Sequence, residues 1–148
     1  MKKILVATDF SALATAALRY AGNLAAQTGA ELVALYADMF EPPVEFTSRE
    51  VNDVASAIDL SRRRAEEELE RCVAQNVPAT VRARVVVAED HPVPAIVSYA
   101  VRNGVDLIVV GTHGRGGLQR LLLGSVSQRL VAESPVPVMV IPRATAAA

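Results

Sequence analysis

At 148 residues the chain has the length of one domain and can bury roughly two-thirds of the surface its unfolded form exposes. Its 15 basic and 16 acidic residues are interspersed and leave a formal net charge of −1, so the positive field by which general nucleic-acid binders gather phosphates is absent. The single cysteine, Cys72, excludes an internal disulfide and a Cys-based metal cluster, and at helical spacing with Leu69 and Val73 it reads as a buried structural thiol.

The chain opens on "MKKILVATDF", whose apolar run stops at Thr8 and Asp9, too early for a signal-peptide core or a membrane span; a cytoplasmic location is expected. "KILVA" (3–7) is a short apolar run of the kind that forms a strand covered on both faces. Ser11 then suits a helix N-cap. Leu13, Ala16, Ala17, Tyr20, Ala21 and Leu24 recur at helical spacing, and Gly29 is a stop signal. "ELVALYA" (31–37) predicts a second strand, and the prolines at 42 and 43 make residues 38–50 a mobile loop. Residues 50–76 carry an apolar stripe at helical spacing, with Arg62, Arg63 and Arg64 each four residues before Glu66, Glu67 and Glu68, a pattern that reads as a solvated face. "TVRARVVVA" (80–88) predicts a strand with one exposed end, and a helix follows behind Pro92. "VDLIVVG" (105–111) is the most strongly buried strand candidate. The helix "GSVSQRLVAES" (124–134) and the strand "PVMVIP" (137–142) close the pattern.

Five strands alternating with helices predict an α/β fold with a mostly parallel, doubly wound sheet in the order 3-2-1-4-5. A single domain over 1–143 is expected, with a frayed tail over 144–148. In that order the crevice opens beyond the carboxyl ends of the first and fourth strands, where the winding reverses. "ATDFS" and the glycine stretch "GTHGRGGLQRLLLGS" then converge on one site.

Gly111, Gly114, Gly116 and Gly117 lack the Cβ that holds a ligand off the backbone, so their N–H groups can wrap an anion. Gly124 and Ser125 open a helix whose terminal amides attract negative charge; Ser125 and Ser127 add hydroxyls, and Arg115 and Arg120 suit terminal phosphates. The alternative is a loop in which Gly124 and Ser125 serve only as a helix cap. A Walker A loop is excluded, because the only lysines are Lys2 and Lys3 at the far end of the first strand. A GxGxxG fingerprint is excluded by the loop's position after the fourth strand. A response-regulator site is excluded too: strand one ends in a single acid and no lysine follows the last strand. Asp9 has no acid partner for general acid–base work, which favours nucleotide hydrogen bonding over catalysis. His113 sits in the cradle, and with His91 as the one other histidine a protein-bound zinc site is not expected.

The spacing Gly111, two residues, Gly114, nine residues, Gly124, Ser125 resembles the signature of the universal stress protein family in its ATP-binding branch. The resemblance covers the whole chain, from "KKILVATDFS" to "SPVPVMVIP". It implies a Rossmann-like fold of the adenine nucleotide alpha hydrolase type and an adenine nucleotide (ATP, or ADP or AMP) in the crevice, with Mg²⁺ held through the phosphates. By motif, Ala7, Thr8 and Asp9 would contact adenosine and the backbone of Ala37 would line the adenine pocket. Gly111, Gly114, Gly124, Ser125 and Val126 would hold ribose and phosphates, and Thr112, His113, Arg115 and Ser127 are further candidates for binding the nucleotide. It also implies a homodimer through the final strand, about Val138–Pro142, a role in stress response, and regulatory protein partners, with no nucleic acid or membrane among them. A slow ATPase or autophosphorylating enzyme, and a structural dimer without nucleotide, are the alternatives. "EDHPVPAI" departs from the family's G-x-P pattern by placing Asp90 where glycine is common.

Overall fold

A computed structural model describes residues 1–39, 48–113 and 123–143, the side chains of residues 48–51 excepted. Its elements alternate strictly: β1 (Lys3–Thr8), α1 (Ala12–Thr28), β2 (Glu31–Ala37), α2 (Ser48–Asn76), β3 (Ala83–Ala88), α3 (Pro92–Arg102), β4 (Leu107–Gly111), α4 (Ser125–Glu133) and β5 (Val138–Ile141). The strands form one sheet in the order β3-β2-β1-β4-β5, and every neighbouring pair is parallel. This is the expected doubly wound order, with β1 in the middle.

Burial explains the two helical layers. Along β1, Ile4 and Val6 join an apolar cluster with Ala17, Leu18, Ala21 and Ala25 of α1 and Leu69 of α2. Leu5 points the other way, into a cluster with Val93, Ile96 and Ala100 of α3 and Leu130 of α4. Successive side chains of a strand face opposite sides, so an unbroken apolar run requires helices on both. The small residues along the buried face of α1 let that helix lie close to the sheet. α1 also has the boundaries expected for it: the Ser11 side chain accepts the Ala14 N–H, and Gly29 closes the helix at φ 70, in the left-handed region that glycine enters without a Cβ clash.

Several ends differ from expectation. α2 begins at Ser48, and residues 40–47 of the expected loop lie outside the described residues. β3 begins at Ala83 because the preceding residues turn, the Val81 N–H bonding the Pro78 carbonyl. β4 begins at Leu107, since the Val105 N–H still bonds Ala100 at the end of α3. β5 is bounded by Pro137 and Pro142, which have no N–H to give a ladder. The arginine face of α2 is solvated, but its ion pairs run otherwise than expected: Arg62 and Arg63 reach back to Asp59 at 2.7 and 3.0 Å, and Arg71 to Glu68 at 2.8 Å. An acid N-terminal to its base is the better helical arrangement. Cys72 is half-buried rather than buried, and packs against the α1–α2 side of the core.

Candidate functional site

β1 is flanked by β2 on one side and β4 on the other, so the chain leaves β1 in one direction and returns on its far side. The crevice of such a sheet lies beyond the carboxyl ends of the two strands at that reversal. Here they end at Thr8 and Gly111. The β1–β4 register pairs Val6 with Val109, and carried two residues further it sets Thr8 level with Gly111. Ala7 and Ala37 both pack on the α3–α4 side of the sheet, while Thr8 is buried at 7% exposure.

The turn after β1 is tied residue by residue. Thr8 Oγ1 accepts the Phe10 N–H at 3.1 Å, Asp9 Oδ1 accepts the Ser11 N–H at 3.0 Å, and Ser11 Oγ accepts the Ala14 N–H at 3.2 Å. Phe10 sits at φ 63, the only non-glycine among the described residues with positive φ. Its ring packs on Tyr36, centroids 4.7 Å apart and tilted by 48°.

The glycines are explained by close approaches. A Cβ on Gly111 would stand 3.1 Å from the Leu13 carbonyl oxygen, so glycine here lets the first turn of α1 lie against the end of β4. A Cβ on Gly124 would stand 2.9 Å from the Thr112 carbonyl oxygen and 3.2 Å from the His113 Cα. The Gly124 N–H donates to that same Thr112 carbonyl. Ser127, only 3% exposed, sends its hydroxyl to the Thr112 carbonyl at 3.0 Å and the Gly124 carbonyl at 2.9 Å. Ser127 therefore braces the loop against α4 and is not a donor pointing outward. Thr112 is itself tied to β5, its N–H bonding Ile141 O at 3.2 Å, but its Oγ1 is buried with no hydrogen-bond partner among the described residues.

α4 thus starts on a residue with no side chain to cap it. The N–H groups of Ser125, Val126 and Ser127 stand where a helix has no carbonyl of its own to offer, and the positive end of the helix dipole lies there. Ser125 is exposed and Val126 half-buried. α3 offers much less. Pro92 and Pro94 remove two of its first three donors, and its N-cap His91 makes no side-chain capping hydrogen bond. Asp90 Oδ1 accepts the His91 N–H at 2.7 Å, so this carboxylate is turned back on its own backbone.

The structure therefore joins Gly111, Thr112, His113, Gly124 and Ser127 directly, and places Ala7, Thr8, Asp9 and Ala37 on the same carboxyl edge. Gly114 and Arg115, with Gly116, Gly117 and Arg120, lie outside the described residues. Among the described residues no group of three or more His, Cys, Asp or Glu side chains could hold a metal ion. Burial pushes the Cys72 thiol above its ordinary value, more than its hydrogen bond to Thr15 lowers it, and so disfavours the nucleophilic thiolate. Sequence reasoning missed Phe10, Leu13 and Ile141. None carries a local signal, because each acts through a contact with a distant strand or turn.

Fold and site together define a Rossmann-like α/β protein whose crevice lies at the switch point of a doubly wound sheet. The universal stress protein family model matches residues 1–142, and the chain belongs to that family. A universal stress protein of Methanocaldococcus jannaschii is 32% identical over 140 residues, covering 95% of this chain and 81% of that protein. The solved structure of a second protein of that organism, MJ0577, matches with a TM-score of 0.75 at 29% identity, covering 96% of both chains. A universal stress protein solved in complex with cAMP matches with a TM-score of 0.61 at 25% identity, covering 95% of both. Among the described residues no helix is long and apolar enough to cross a membrane.

Proposed function

We propose that the protein is a cytoplasmic adenine-nucleotide sensor of the stress response, binding ATP, or ADP or AMP, in the crevice beyond β1 and β4. The observation that carries this reading is the start of α4. Gly124 is held to glycine by the Thr112 carbonyl 2.9 Å from its missing Cβ, so among the described residues the helix begins uncapped beside a buried Thr112 hydroxyl with no partner. A phosphate would satisfy the free amides and that hydroxyl together. The motif spacing and the cAMP-bound relative support an adenine nucleotide as its carrier. In this arrangement Ser125 and Val126 present backbone N–H groups to phosphate. By the motif spacing, Gly114 and Arg115 would add to the cradle. Asp9 hydrogen-bonds adenosine, and Ala7, Thr8 and Ala37 line its pocket. Mg²⁺ would be held mainly by phosphate oxygens, since the described residues offer it no cluster of ligands.

The bound state would be read through a homodimer. β5 is an edge strand of four residues with Val138, Met139 and Val140 half-buried and, among the described residues, no strand beyond it in the sheet, an edge that a second copy can cover. Regulatory protein partners would then meet a surface that nucleotide alters.

A thermal-shift titration with ATP, ADP, AMP and GTP, with and without Mg²⁺, tests the reading while product is followed over hours. At a hundredfold excess over Kd the expected gain is about 2.7 kcal/mol, a shift of several degrees, for adenine nucleotides alone. Replacing Gly114 by a bulky residue should abolish it. No shift with any nucleotide overturns the reading, and steady product would make the protein an ATPase.

A further inference from the structure

We propose that Phe10 is a positioning residue for the binding site: its ring, packed on Tyr36, holds the backbone in the left-handed conformation that aims the Asp9 carboxylate. The inference rests on the nucleotide-binding reading for its consequence, though not for its geometry.

Only three residues, 9 to 11, separate the end of β1 from the start of α1. The chain must turn there from the sheet onto the helical layer, and it does so through a left-handed residue at φ 63. Glycine adopts that conformation freely, whereas a residue with a Cβ is strained in it. A phenylalanine at such a position needs compensation from outside the turn. The ring supplies it. It lies 4.7 Å from the Tyr36 ring and belongs to the apolar layer beneath α1 and α2. Tyr36 is paired with Thr8 across β1 and β2, so the ring is anchored on the strand beside the turn.

Two hydrogen bonds depend on this geometry. The Phe10 N–H meets Thr8 Oγ1 and the Ser11 N–H meets Asp9 Oδ1, so a change in the dihedrals at residue 10 moves the donor that orients the carboxylate. Tyr36 immediately precedes Ala37 at the end of β2. The ring pair therefore links the two segments assigned to the adenosine end of the crevice. Strain held in place by surrounding packing is a known mark of functional turns.

Two variants separate conformation from packing. Phe10→Ala removes the ring and keeps the strain; Phe10→Gly removes the ring and the strain together. In ligand-free protein the amide proton of Ser11, observed by NMR, should stay near its wild-type shift in Phe10→Gly and move toward the random-coil value in Phe10→Ala. ATP titrated against the same samples should bind Phe10→Ala about tenfold more weakly than wild type and Phe10→Gly within about threefold. An unmoved Ser11 amide in Phe10→Ala, or equal losses in both variants, overturns the proposal. If wild type binds no adenine nucleotide, the functional reading falls, while the Ser11 amide still decides whether Phe10 sets the turn.

Discussion

α1 and α4 both start from the carboxyl edge of the sheet, one on each side of the crevice, and they begin in opposite ways. α1 is closed: Ser11 caps it through the Ala14 N–H, and Asp9 takes the N–H of Ser11 itself. α4 is left open, because its N-cap is Gly124 and no side chain among the described residues caps it. α3, another helix leaving this edge, loses donors to Pro92 and Pro94. Anion binding at a helix start is thus decided by the cap as much as by the dipole, since a capped end has already given its amides away. Of these three helices the one left open is the one reached by the glycine stretch.

The strongest way to break the comparison is to fill the open end. In Gly124→Val the new side chain begins 2.9 Å from the Thr112 carbonyl, so loop and helix must separate. A loss of about 1–3 kcal/mol in stability is expected from overpacking. The ATP dissociation constant should rise by about tenfold or more as the amides move off the phosphate. Chemical denaturation and nucleotide titration of the same variant check both. Unchanged affinity would place the nucleotide elsewhere. Ser127→Ala acts at the brace instead. It removes the hydroxyl that ties α4 to Thr112 and leaves the amides in place, so stability should fall by about 1–3 kcal/mol, with a smaller loss of affinity.

These residues also show what was legible in the sequence. The two-sided covering of the sheet was readable because burial on both faces forces continuous apolar runs, and α1 because its cap and stop are local chemistry. Gly111, Gly124 and Ser127 stand out in the sequence, and the structure adds contacts there that no local pattern shows. The two glycines make room for the backbones of Leu13 and Thr112, and Ser127 bonds inward. Such contacts join parts of the chain that no periodicity relates. Phe10 was passed over because phenylalanine is not the residue expected at positive φ, and the Tyr36 ring that makes it tolerable belongs to another strand. The α2 ion pairs followed helical spacing, but the direction of pairing depended on Asp59, outside the arginine–glutamate run.

Ser11→Ala sharpens the comparison by opening the closed helix. Losing an N-cap hydroxyl costs about 1 kcal/mol, which a denaturation curve resolves as a shifted midpoint at unchanged slope. ATP affinity should change far less than in Gly124→Val, because α1 then offers amides on the adenosine side of the crevice. An equal loss of affinity would mean that the phosphates sit against α1.

The smallest effect is expected at the opposite end of the sheet, where the same device of a carboxylate on backbone amides appears away from the proposed site. Asp106 Oδ2 accepts the N–H groups of Lys2 at 2.6 Å and Lys3 at 2.9 Å, just before β4 begins. These bonds, Lys2 first, hold its carboxyl below the ordinary value of 3.8. A group whose pKa is lowered on folding stabilises the protein above its unfolded value and loses that contribution as pH falls through the folded one. Asp106→Asn should therefore be less stable than wild type at neutral pH, by a small margin because the side chain is fully exposed, and the two curves should converge in strong acid. Its affinity for ATP should equal that of wild type across the range, since the amides it serves lie a full strand length from the crevice. A gap that persisted in strong acid would assign the effect to the shape of the carboxamide instead of the lost charge. A change in ATP affinity would show that the two ends of the sheet are coupled, and the contrast between α1 and α4 would no longer be a local property of their caps.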